Sequence, residues 1–174
     1  MLLNIRFQYL NIFECSKLNT MKRLLLLNLL ILLGLMANAQ VNIYNPNADA
    51  KAEIAAAINK AKQENKHVFI QIGGNWCPWC VKLHNFMNAD STISEILTKN
   101  YVVVKVNYSK ENKNLDVLEK LEKPQRFGFP VLVILNSNGN RIHTQDSGLL
   151  ESGDGYDRKK VLNFLKNWTP EALK

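Results

Sequence analysis

At 174 residues, 47% hydrophobic and 21% charged, the chain is too apolar for a disordered or fibrous protein and has the length of one globular domain plus a leader. Its net charge of +7 falls to +4 over 40–174, where 18 Lys and Arg face 14 Asp and Glu; the cations are scattered, without the aromatic-interleaved stripe that nucleic-acid binding uses. Of three cysteines only two lie beyond residue 40, which excludes a disulfide-stapled scaffold.

Met21-Lys22-Arg23, the apolar run 24–36 broken only by Asn28 and Gly34, and Ala37-Asn38-Ala39 form a basic, apolar and small–x–small series. That pattern predicts a signal peptide over 21–39 and an exported, periplasmic or extracytoplasmic domain over 40–174 that is soluble once the leader is removed. The run is short of the ~20 residues that span a bilayer, and an uncleaved anchor is the alternative. No cysteine follows the run to take a lipid. Residues 1–20, with Cys15, read as an upstream extension ahead of Met21 and are left out of the chemistry.

Beyond a turn at Asn45-Pro46-Asn47, an Ala-rich helix is expected over 49–66, with Ile54, Ala57, Ile58 and Ala61 on one face. A buried strand follows over 67–72, then a turn at Gly73-Gly74-Asn75 and a helix from Cys77 to about Asn88. Asp90 or Ser91 caps a second helical piece through Leu97. The β-branched run 101–106 reads as a strand, and 114–123, with Leu115, Leu118 and Leu121, as a short amphipathic helix. Pro124 to Gly128 breaks the pattern before the apolar strand 131–135. Asn138-Gly139 signals a hairpin into a return strand over 141–144. A loop over 146–155 leads to a last helix over 157–168, whose Leu162, Leu165 and Trp168 can face the sheet. Such alternation implies an α/β fold with helices on both faces of a mixed sheet.

Trp76-Cys77-Pro78-Trp79-Cys80 carries the chemistry. Two thiols separated by two residues can close a small disulfide reversibly. At a helix N-terminus the unpaired N–H groups and the positive end of the dipole favour thiolate over thiol, and the thiolate is the attacking species in disulfide exchange. Pro78 falls in the first turn, where its missing N–H costs nothing. A staple closing so small a loop would constrain the unfolded chain little, so redox chemistry explains the pair better. A zinc half-site would need two more ligands, and His67, His84 and His143 lack ligand spacing. Covalent haem attachment would need His where Val81 stands. His84 reads as a half-exposed helix residue that could alternatively tune a cysteine. No cofactor or metal is expected.

With strand–Trp76-Cys77-x-x-Cys80–helix, Phe127-Gly128-Phe129-Pro130 before a strand and hairpin, and Gly148 before the last helix, the chain resembles the thioredoxin superfamily over roughly 49–168. The Phe86 to Leu97 stretch after the motif looks like that of small exported thioredoxin-like domains related to the C-terminal domain of thiol:disulfide interchange proteins. The resemblance implies a thioredoxin-like three-layer fold and activity on protein disulfides or dithiols. It implies Cys77 as the exposed nucleophile, Cys80 as the more buried resolving thiol, and Pro130 in a cis peptide against the disulfide. Trp76, Pro78, Trp79 and Phe129 would shape the site and contact substrate. A reductase outside the cytoplasm would also need a membrane electron donor as partner.

Two positions depart from or bear on that pattern. Gln71 stands where thioredoxins carry a buried carboxylate that moves the resolving cysteine's proton, and Lys105 stands where that acid's lysine neighbour is found. Proton transfer through water is therefore expected. The Pro78-Trp79 dipeptide is closer to glutaredoxin's Pro-Tyr than to Gly-Pro. Gln71 also favours a reading of another class: a thioredoxin-fold binding or chaperone-like module whose disulfide does not cycle.

Overall fold

The computed structural model describes residues 42–174 and, before them, Lys22, Arg23 and Asn28 alone; the expected leader, the upstream extension and Cys15 lie outside the described residues. From Asn42 onward the chain builds α1 (Ala50–Glu64), β1 (His67–Gly73), α2 (Pro78–Ala89), α3 (Ser91–Asn100), β2 (Tyr101–Asn107), α4 (Leu115–Lys120), β3 (Val131–Leu135) and β4 (Arg141–Asp146). A two-stranded ribbon of β5 (Glu151–Ser152) and β6 (Gly155–Tyr156) and the helix α5 (Arg158–Asn167) complete it.

All seven residues of β1 and all five of β3 are buried. Continuous apolar runs of this kind belong in the middle of a sheet covered on both faces, and the strand order is β2-β1-β3-β4. β1 and β2 are parallel, from His67 opposite Tyr101 to Gly73 opposite Asn107. β3 runs antiparallel to β1, with Ile72 opposite Val131, and to β4. Successive side chains alternate between faces. Val68, Ile70 and Ile72 pack with Ala57 and Ala61 of α1 and Leu118 of α4, while Phe69 packs with Leu83 of α2, Ile93 of α3 and Leu165 of α5. This is the mixed-sheet, three-layer α/β architecture expected from the sequence.

Element ends follow local chemistry. Asp49, Asp90 and Asp157 accept from Ala52, Ile93 and Lys160 N–H groups at the starts of α1, α3 and α5; caps of this type contribute about 1 kcal/mol each. α4 stops at Lys120 rather than the expected Lys123. Glu122 and Lys123 take left-handed φ values of 61° and 55° before Pro124, which disfavours helix in the residue it follows. Leu115, expected on the apolar face, is exposed, and Val117 joins Leu118 and Leu121 in the core. β4 runs two residues past its expected end. The loop over 146–155 is structured, holding a 3-10 turn at Ser147–Leu150 and the β5–β6 ribbon.

Candidate active site

β1 ends at Gly73, and the tight turn that follows delivers Cys77 to the N-cap of α2, with Pro78 first in the helix. Cys77 and Cys80 form a disulfide whose Cα atoms are 5.3 Å apart. Cys77 Sγ also accepts from the Cys80 N–H at 3.1 Å. That backbone donor and the helix dipole stabilise negative charge on Cys77 once the disulfide opens.

The opposite wall is the Phe129–Pro130 peptide, which is cis. Since Val131 pairs with Ile72, Pro130 comes alongside Gly73. A Cβ placed on Gly73 would collide with Cys80 Sγ and lie 2.8 Å from the Tyr44 hydroxyl. Only glycine therefore lets the sheet approach the disulfide this closely.

Beneath the disulfide, Gln71 is fully buried and fully engaged. Its Nε2 donates to Tyr44 Oη at 2.8 Å and to the Cys80 carbonyl at 3.0 Å, and its Oε1 accepts from Lys105 Nζ at 3.2 Å. No described carboxylate forms an ion pair with Lys105. Burial pulls its ammonium down to about 8. The pair expected at the proton-transfer position is thus in direct contact, as amide and ammonium rather than acid and ammonium.

Above the disulfide lies an aromatic rim. Trp76 is 54% exposed, donates from Nε1 to the Tyr108 carbonyl at 2.7 Å and meets Phe129 edge-on with centroids 5.7 Å apart. Tyr108 packs on the other side of Phe129 at 4.7 Å. Trp79 stands edge-on to Tyr156 at 5.5 Å, with Lys82 Nζ 4.3 Å above its ring. Pro78 is exposed at the start of α2.

The exposure expected of Cys77 is not observed. Cys77 is 3% and Cys80 0% exposed, because Ile43, Trp79 and Phe129 pack against a cluster of the two cysteines and Tyr44. The order of burial is as expected; the degree is not. His84 lies on α2 in contact with Asn88, apart from this cluster. Burial, with the Lys105 charge, lowers its pKa.

Tyr44 is the site residue that the sequence did not disclose. It is 2% exposed and held in the segment before α1 by a reciprocal pair with Asn75: its N–H donates to Asn75 Oδ1 at 3.0 Å, and Asn75 Nδ2 donates to its carbonyl at 2.8 Å. The turn residue Asn75 thereby ties the N-terminal segment to the cysteine turn. The available signal was an aromatic residue just ahead of Asn45-Pro46.

The family model described as thioredoxin-like matches residues 49–137, a stretch that includes both cysteines, Gln71, Lys105 and Pro130 but not Tyr44. The disulfide bond reductase DsbH of Chlamydia pneumoniae is 25% identical over 120 residues, covering 64% of this chain and 70% of that protein. Among solved structures, a disulphide isomerase from Xylella fastidiosa Temecula1 matches with a TM-score of 0.65 and 24% identity, covering 72% of this chain and 95% of that one. At that identity the likeness is one of fold.

Proposed function

Since the chain belongs to the thioredoxin-like family, we propose that it is an exported thiol–disulfide oxidoreductase that reduces or exchanges protein disulfides through Cys77 and Cys80. The observation that carries this reading is a cysteine pair at a helix N-cap beside a cis proline, with the first sulfur receiving a backbone N–H.

The Cys77 thiolate attacks one sulfur of a substrate disulfide. The substrate S–S bond breaks, its second sulfur leaves as a thiolate and takes a proton from water, and a Cys77–substrate disulfide remains. Cys80 then loses its proton to solvent and attacks Cys77 Sγ. The first substrate sulfur departs, substrate is reduced, and the enzyme holds the Cys77–Cys80 disulfide. Each further cycle needs an external dithiol to reduce that pair; in an extracytoplasmic compartment a membrane electron donor fits the role. Run backwards, the same steps oxidise a substrate dithiol. The redox potential of the couple, measured against glutathione buffers, decides the direction. Trp76, Phe129 and Tyr108 offer an apolar rim against which an unfolded substrate segment can lie.

Catalysed reduction of insulin by dithiothreitol tests the reading, with acceleration by the wild-type protein expected. Burial of both sulfurs and the amide at Gln71 favour the second reading, a binding module with a non-cycling disulfide. No acceleration would decide for it. Export rests on the 21–39 pattern alone, and the expected mature N-terminus, read by Edman sequencing of the secreted protein, is Gln40.

A further inference from the structure

We propose that Tyr44 donates a hydrogen bond from its hydroxyl to the Cys80 sulfur when the disulfide opens, stabilising the resolving thiolate in place of a buried acid. This rests on the oxidoreductase reading and names a residue outside the stretch that the family model matches.

A phenol has one proton to donate and lone pairs to accept with. Gln71 Nε2 occupies the acceptor side of Tyr44 Oη, and the amide cannot turn, because its second N–H is spent on the Cys80 carbonyl and its oxygen on Lys105. The O–H of Tyr44 therefore points elsewhere, and no described oxygen or nitrogen accepts it. The three atoms nearest a Cβ built on Gly73 are Cys80 Sγ and the Oη and Cζ of Tyr44, so hydroxyl and sulfur lie against the same face of one glycine. The disulfide sulfur is a weak acceptor; a thiolate is a strong, charge-assisted one. At 2% exposure no bulk water competes. Burial also raises the phenol's own pKa, which keeps its proton in place at working pH.

Tyr44 keeps that proton throughout. The proton leaving Cys80 goes to solvent water, and the hydroxyl lowers the cost of the charge left behind. The other titratable groups around Cys80 are Cys77 on the same turn, Lys105 behind Gln71, Lys82 and His84 on α2, and Tyr156, whose hydroxyl donates to the Trp79 carbonyl at 3.3 Å. Lys105 also lines an open cleft of about 560 Å³ between α1 and β2. Gln71 thus acts as a positioning residue, anchored by Lys105 and aiming Tyr44.

The test follows the ultraviolet thiolate absorbance of Cys80 in Cys77→Ser protein, with and without Tyr44→Phe. Removing the hydroxyl is expected to raise the Cys80 midpoint by about one pH unit. In protein with both cysteines it should slow resolution of a Cys77 mixed disulfide about threefold at neutral pH, the loss of thiolate being partly offset by its greater nucleophilicity. An unmoved Cys80 midpoint overturns the proposal. Should Tyr44→Phe fail to fold, the Tyr44 Cζ resonance in isotope-labelled Cys77→Ser protein decides instead. A titration at the Cys80 midpoint supports the bond, and a flat response overturns it. Insulin reduction by wild type with an unmoved Cys80 sinks this inference alone. A shifted Cys80 without turnover sinks the oxidoreductase reading and leaves the hydrogen bond standing.

Discussion

The two sulfurs of one disulfide, on residues 5.3 Å apart at Cα, are served by two kinds of environment. Cys77 is addressed by backbone: it caps α2, receives the Cys80 N–H, and faces the cis Phe129–Pro130 peptide and the aromatic rim. Cys80 is addressed by side chains: buried Gln71 and Tyr44 and half-buried Lys105 form a polar set beneath it, built from β1, the N-terminal segment and β2. The first environment comes with the strand–turn–helix and any helix start supplies it. The second depends on three particular residues meeting across the fold. A nucleophile can therefore be encoded by a short motif, whereas control of its partner is distributed.

The largest effect should come from removing the backbone-served sulfur. Cys77→Ser is expected to abolish insulin reduction, while Cys80→Ser should retain the first attack and accumulate mixed disulfides, visible as adducts by mass spectrometry. Equal and complete loss of both steps would erase the division of labour between the two sulfurs.

Gly73→Ala presses a methyl against Cys80 Sγ and the Tyr44 hydroxyl at once. Overpacking of this kind costs about 1–3 kcal/mol, so the urea midpoint of the oxidised protein should fall by a corresponding amount. An unchanged midpoint would mean that the polar set beneath Cys80 is loosely packed.

Gln71→Asp restores an acid beside Lys105. The carboxylate cannot donate to Tyr44 or to the Cys80 carbonyl as the amide does, so resolution is expected to change in rate and to gain a new titration in its pH profile. If rate and profile both stay put, proton handling at this position does not limit exchange.

The smallest effect concerns Lys105. Burial holds it at about 8 against 10.5 for the free side chain, so between those values the unfolded chain binds more protons and stability rises with pH. Below about 8 both states are charged and the cost of burying the ammonium is present in full; above 10.5 it is gone. Burial raises the pKa of Tyr44, Tyr101 and Tyr156, which acts in the opposite sense once unfolded tyrosines ionise, so the comparison belongs between pH 8 and 10. Wild type should gain on the order of 1 kcal/mol across that interval relative to Lys105→Met. Parallel curves would place the ammonium in solvent.

Much of this molecule could be read from its sequence because the signals were local. The apolar runs of β1 and β3, the aspartate caps at Asp49, Asp90 and Asp157, and the turn before β4 each need only neighbours to be legible. The cysteine turn and Pro130 were legible for the same reason, and β1 alternation puts Gln71 on the Phe69 face, where α2 lies. What stayed hidden is set by distance in sequence. Tyr44 reaches Gln71 across 27 residues from a segment with no periodicity, and the packing of Ile43 and Phe129 that buries Cys77 joins distant segments that no motif links. The early stop of α4 rests on two left-handed residues of types that seldom adopt that conformation.

The division of labour between the two sulfurs is tested most directly by pH-dependent alkylation of the reduced protein, with the modified cysteine identified by mass spectrometry. Cys77 is expected to react first, with a midpoint below the ordinary thiol value of about 8.5, while Cys80 is protected. Equal modification of the two cysteines, or reaction at Cys80 first, would contradict that division.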